Sequence, residues 1–121
     1  MGSNLDISVD VDVTVSTRNA TVVRVAGTID LVTAPVLSEA IERAMAPGPP
    51  RVVIDLSAVE FLSAVGMTML LHAHQSASTR LAVVADGRAT SRPMTLLGLD
   101  RTLAIYPTLD AALSDSHDRE I

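Results

Sequence analysis

Apolar and polar positions alternate cleanly at the start of the chain. Leu5, Ile7, Val9, Val11, Val13 and Val15 are separated by Asp6, Ser8, Asp10, Asp12 and Thr14. This period of two predicts a half-buried strand with one wet, acidic face. The aspartates place it at a sheet edge, where negative charge discourages pairing with a foreign strand. Ser16 to Asn19 reads as a turn, and Thr21 to Ala26 as an antiparallel return strand that ends at Gly27.

The period then changes. Thr33, Ala34 and Pro35 open a helix, since Thr caps free N–H groups and Pro is tolerated in the first turn. Leu37, Ala40, Ile41, Ala44 and Met45 form its apolar stripe, and Pro47-Gly48-Pro49-Pro50 ends it. Arg51 to Leu56 is almost wholly apolar and reads as a central strand. A helix over Ala64 to Ser76 follows, with Met67, Leu70, Leu71 and His74 on one stripe. Leu81 to Ala85 predicts a further central strand, and Met94 to Leu97 a short helix closed by Gly98. Leu103 to Ile105 predicts a brief strand, and Thr108 to Leu113 a last helix. A hairpin followed by alternating strands and helices predicts one α/β domain over residues 5–113 and a polar tail over 114–121.

Composition narrows the chemistry. The charge of −5 opposes binding to nucleic acid or an anionic membrane, and a single Phe, a single Tyr and no Trp leave little to stack bases on. There are no cysteines, so disulfides, thiolate catalysis and Cys-ligated zinc are excluded. No lysine is present to act as a base or Schiff-base amine. His72 and His74 lie two apart on the predicted helix, face different ways and cannot share a metal. No apolar run approaches the length of a membrane span. The expectation is a cytoplasmic, non-catalytic binding protein with no cofactor, no metal and no direct membrane insertion.

The run Val52 to Leu71 carries the most information: an apolar strand, Asp55-Leu56, a loop, then Ser63-Ala64-Val65-Gly66 opening a helix. It resembles the signature of STAS domains, and most closely the bacterial anti-sigma factor antagonists, in which Asp-Ser-Ser-Gly occupies the helix start. Gly27 to Ala34 resembles the family's Gly-Glu-Leu-Asp segment with its following Thr-Ala, and Leu97-Gly98-Leu99-Asp100 its late Gly-Leu turn. The resemblance implies a four- or five-stranded, mostly parallel mixed sheet with helices mainly on one face. It also implies binding to an anti-sigma factor and release of a sigma factor. The implied partner surface is Asp30, Thr33, Ser63, Ala64, Val65, Gly66 and Thr68.

The family's switch serine, directly before the Gly, is here Val65, which has no hydroxyl. Binding without the usual phosphoswitch is therefore expected. Ser63 reads as a helix N-cap, with a relocated phosphosite as the alternative. Gly66 reads either as a close-packing site or as room for a partner's backbone. Asp30 reads as a partner contact or as a local turn carboxylate. Two other functions stay open: a STAS scaffold subunit of a membrane lipid or anion transport system, and a small-ligand sensor.

Overall fold

The computed structural model describes residues 9–15, 20–77 and 79–114. Strands β1 (Val9–Val15) and β2 (Ala20–Ile29) form the hairpin, followed by helix α1 (Ala34–Met45), strand β3 (Arg51–Leu62), helix α2 (Ala64–Ser76) and strand β4 (Arg80–Val84). Helix α3 (Ser91–Leu96), a 3-10 turn over Leu99–Arg101, strand β5 (Ala104–Tyr106) and helix α4 (Leu109–Ser114) complete the order. The five strands lie in the order β1-β2-β3-β4-β5; β1 is antiparallel to β2 and every other neighbouring pair is parallel. The acidic first strand is thus an edge strand, and the two apolar ones are interior, as their patterns predicted. The expectations for Leu5, Ile7, the turn over 16–19 and the tail from residue 115 fall outside the described residues. Ser114, assigned to the tail from sequence, is the last residue of α4.

Alternation along the strands sorts side chains onto two unequal faces. Val23, Val25, Val52, Ile54, Leu56 and Val83 meet Leu37, Ala40, Ile41, Leu70 and Met94, so α1, α2 and α3 share one covered face. The other face carries only a small cluster of Ala20, Val22, Val53, Val84 and Ala112 beneath α4. Arg51 donates to the carbonyls of Ala112 (3.2 Å) and Leu113 (2.7 Å), which fixes the end of α4 against the start of β3. Helices lie mainly, though not wholly, on one face.

Two strands run further than their patterns predict. β3 continues through Leu62 rather than stopping at Leu56, because its pairing with β2 shifts register twice. Between Arg24↔Asp55 and Ala26↔Ala58, and again between Gly27↔Val59 and Thr28↔Phe61, β3 has one residue more than β2. Each bulge flips the alternation, so the segment from Ser57 to Leu62 loses its period of two while remaining a strand. Gly27 lies at the second shift with φ of 100°, a conformation that side-chain-bearing residues rarely adopt, and β2 therefore passes through it to Ile29. Asp55, expected at a strand end, is instead within β3. It is buried and accepts hydrogen bonds from the Ser57 amide (3.0 Å) and hydroxyl (2.7 Å), and the Arg24 Nε lies 3.9 Å away. This carboxylate secures the first bulge.

The covered core tests directly. Leu70 is fully buried between α2 and the sheet. Leu70→Ala is expected to lower stability by about 2–5 kcal/mol, measured by denaturant unfolding.

Candidate functional site

Because β2, β3 and β4 are parallel, the loops that leave their carboxyl ends gather at one sheet edge, the place where α/β sheets present their sites. Two of those ends are joined directly. Ile29 and Leu62 are register partners, and the Ser63 amide donates to the Ile29 carbonyl at 2.9 Å. The start of α2 is therefore tied to the end of β2, and the loop from Asp30 to Thr33 sits beside Ser63 to Thr68.

Ser63 has extended backbone and its Oγ accepts from the Gly66 amide at 3.1 Å, while its carbonyl accepts from Met67 N at 3.0 Å. It is the N-cap of α2, as its residue type predicts. Gly66 is buried against the strand ends. A Cβ there would lie 2.7 Å from Ile29 Cγ2 and 2.8 Å from Leu62 Cδ1, inside any tolerable contact distance. Of the two readings of Gly66, close packing is the one the geometry supports: it lets the first turn of α2 rest on β2 and β3.

The Asp30 loop is held by its own side chains. Asp30 Oδ1 accepts from the amides of Val32 (3.0 Å) and Thr33 (3.1 Å) and lies 3.2 Å from Thr33 Oγ1. Thr33 Oγ1 in turn accepts from the Asp30 amide (2.8 Å) and donates to the Thr28 carbonyl (2.7 Å). Thr33 stands at the N-cap position of α1, yet its hydroxyl makes no cap bond, because it is used inside the loop. Thr33 is buried. Thr33 and Gly66 thus shape the expected partner surface from beneath, whereas Ala64, Val65 and Thr68 are exposed and Asp30 and Ser63 partly so.

Of the large apolar side chains displayed here, the sequence reading singled out Val65 and not Leu31, Val32 or Phe61. Leu31 is 73% exposed, Val32 67%, Phe61 54% and Val65 42%. Val36, in the first turn of α1, is also exposed. Leu31, Val32 and Val65 belong to the loop and helix start joined here, and Phe61 precedes Leu62 near the end of β3. The signal was present in the sequence: Leu31 and Val32 lie between a strand end and a helix start, where neither apolar stripe can bury them, and Phe61 is the only phenylalanine.

A groove of about 530 Å³ lies elsewhere, between the carboxyl-terminal halves of α1 and α2, lined by Ile41, Glu42, Met45, Met69, His72 and Ser76 among others. It is at the far end of both helices from this edge. Among the described residues no cluster of His, Asp and Glu is arranged to hold a metal, and no helix is long and apolar enough to cross a membrane.

A family model described as the STAS domain matches residues 10–112. The chain belongs to the STAS family. It is 44% identical over 107 residues to the anti-sigma-F factor antagonist RsfB of Mycobacterium tuberculosis, covering 86% of this chain and 88% of that protein. The crystal structure of an anti-sigma factor antagonist from Mycobacterium paratuberculosis superimposes with a TM-score of 0.84 at 48% identity, over 88% of this chain and 92% of that one. The anti-sigma factor antagonist SpoIIAA in its unphosphorylated form matches with a TM-score of 0.69 at 16% identity, over 93% and 98% of the two chains, a likeness of fold alone. In this STAS domain the helix start that resembles the family signature is therefore the one packed through Gly66 on Ile29 and Leu62.

Two substitutions separate packing from capping at this edge. Gly66→Ala is expected to cost about 1–3 kcal/mol, because Ile29 is branched and fully buried and can yield only by moving the strand or the helix. Ser63→Ala is expected to cost about 1 kcal/mol through loss of the cap. Thermal or urea unfolding of both variants checks the order.

Proposed function

We propose that this chain is an anti-sigma factor antagonist that binds an anti-sigma factor through the edge formed by Leu31, Val32, Phe61 and Val65, frees a sigma factor for transcription, and works without a phosphate at position 65. One observation carries the reading: the segment that resembles the family signature lies on a surface that is apolar, exposed and uncatalytic in composition. The names of its close relatives support the partner class, since RsfB is an antagonist of an anti-sigma-F factor at 44% identity. The fold neighbour SpoIIAA is known in unphosphorylated and phosphorylated forms.

Physics explains what is altered by Val65. A phosphoryl group in the first turn of a helix meets free N–H groups and the positive end of the backbone dipole, and it brings nearly two negative charges to the surface. A valine there has no oxygen to accept the group, and its exposed isopropyl adds to the apolar edge instead. The surface is thereby held permanently in its uncharged state. Control of binding then belongs to the partner or to the amount of this protein.

The test is a titration of a purified anti-sigma-F factor with the parent, Val65→Ser and Val65→Asp, with a melting curve for each. Parent and Val65→Ser are expected to bind and to displace sigma factor. Val65→Asp is expected to melt near the parent temperature, since a first-turn carboxylate suits the helix dipole. Its affinity is expected to fall about tenfold or more, the loss typical of a central interface residue. Unchanged affinity in Val65→Asp removes position 65 from the interface. In a companion measurement, incubation with ATP and a kinase-active anti-sigma factor leaves the parent's intact mass unchanged. One added phosphate mapped to Ser63 or Thr68 shows instead that the acceptor has moved.

A further inference from the structure

The two segments joined at this end of the sheet are nearly free of charge, whereas Asp86 and Arg88 are exposed after β4 and Asp10 is exposed opposite Ala26 on β1. From Thr28 to Val36 and from Phe61 to Thr68, the only ionisable side chain is Asp30, in a protein whose net charge is −5. An isolated carboxylate on a binding surface ordinarily reads as the anchor for a partner's arginine or lysine. The geometry assigns it other work. Its Oδ1 is engaged by the Val32 and Thr33 amides and lies within hydrogen-bond distance of the Thr33 hydroxyl. That hydroxyl closes a second set of bonds from the Asp30 amide and to the Thr28 carbonyl. The loop is thus stapled by its first and last side chains, and the two residues between them are the most exposed of the edge's large apolar side chains, Leu31 and Val32.

We propose that Asp30 is a positioning residue that acts on binding only by holding Leu31 and Val32 outward, and that the anti-sigma factor meets this pair with an apolar, uncharged surface. The proposal rests on the reading of this edge as the partner surface. Its physical basis is the cost of order. Two exposed aliphatic side chains on a loose loop lose conformational freedom when they bind, whereas on a stapled loop the backbone is already fixed and more of the burial appears as affinity. Phe61 and Val65 extend the apolar area on the adjoining strand end and helix start, and Glu60, exposed just before Phe61, supplies charge only at its rim.

A carboxylate that staples and a carboxylate that contacts a cation respond differently to amidation. Asparagine keeps an oxygen that accepts from the Val32 and Thr33 amides but carries no charge. The experiment is calorimetric titration of an anti-sigma-F factor with the parent, Asp30→Asn, Asp30→Ala, Leu31→Ser and Val32→Ser at low and high salt. Amide resonances of Val32 and Thr33 in the unbound proteins report the loop. Asp30→Asn is expected to hold the parent's affinity within about twofold and its loop resonances, whereas Asp30→Ala shifts those resonances and weakens binding about tenfold. Leu31→Ser and Val32→Ser are expected to weaken binding about tenfold each with parental melting temperatures, and the parent's affinity to change little with salt.

An Asp30→Asn variant that binds as poorly as Asp30→Ala while its loop resonances stay parental overturns the proposal, because the charge itself is then the contact. So does parental binding by Leu31→Ser and Val32→Ser. A parent that does not bind at all overturns the functional reading and the proposal together, and is told apart by the absence of any binding heat.

Discussion

The close approach of α2 to the strand ends is the constraint on which this molecule depends. Gly66 has no side chain, and the space a methyl would need is held by Ile29 and Leu62, register partners on neighbouring parallel strands. The contact and the hydrogen bond from Ser63 N to the Ile29 carbonyl lock three pieces of chain together: the end of β2, the end of β3 and the first turn of α2. Everything functional hangs from that junction. It sets the Asp30 loop beside the helix start, and it lifts Val65 outward while Gly66 and Met67 turn inward.

The result is a surface built by strict division of labour. Polar groups at the edge are spent on the chain itself: Ser63 caps α2, Thr33 and Asp30 staple their loop, and Asp55 with Ser57 secures a bulge in β3. The large side chains that remain outward from Leu31 to Val36 and from Phe61 to Val65 are apolar, with Glu60 and Thr68 exposed next to them. A protein that exposes Leu31, Val32, Phe61 and Val65 together bears a solubility cost, and burial by a partner at roughly 25 cal/mol per Å2 is the physical compensation for it. Part of the chain's net charge of −5 is carried by Asp10 and Asp12 on the edge strand β1.

Much of this was legible in the sequence, for identifiable reasons. The acidic alternation of Val9 to Val15 announced an edge strand, and the stripe of Leu37, Ala40, Ile41 and Ala44 announced the face of α1 that packs on the sheet. Ser63 was readable as a cap because its residue type and place before an apolar run have one common physical use. The course of β3 past Leu56 was not readable, since two bulges reverse its alternation and no residue type marks them apart from Gly27 on the opposite strand. The roles of Thr33 and Asp30 also lay beyond spacing alone. Thr33 has the identity of a helix cap, but its hydroxyl is drawn to Thr28 and Asp30, a choice that only the three-dimensional path of the loop decides. Val65 was legible as a surface position from its place before Gly66, whereas the exposure of Leu31, Val32 and Phe61 follows from the path of the loop and of the extended β3, which spacing does not reveal.

The central claim is that an uncharged apolar edge at the carboxyl ends of β2 and β3 is the contact surface. It is tested most directly by mapping the footprint of an anti-sigma-F factor on the isotopically labelled protein by NMR, following methyl and amide resonances through a titration. The account predicts that the methyls of Leu31, Val32 and Val65 and the ring of Phe61 show the largest changes, with α4 and the groove between the far ends of α1 and α2 left unperturbed. A footprint centred on α4 or on that groove, with these four side chains unchanged in the complex, contradicts it.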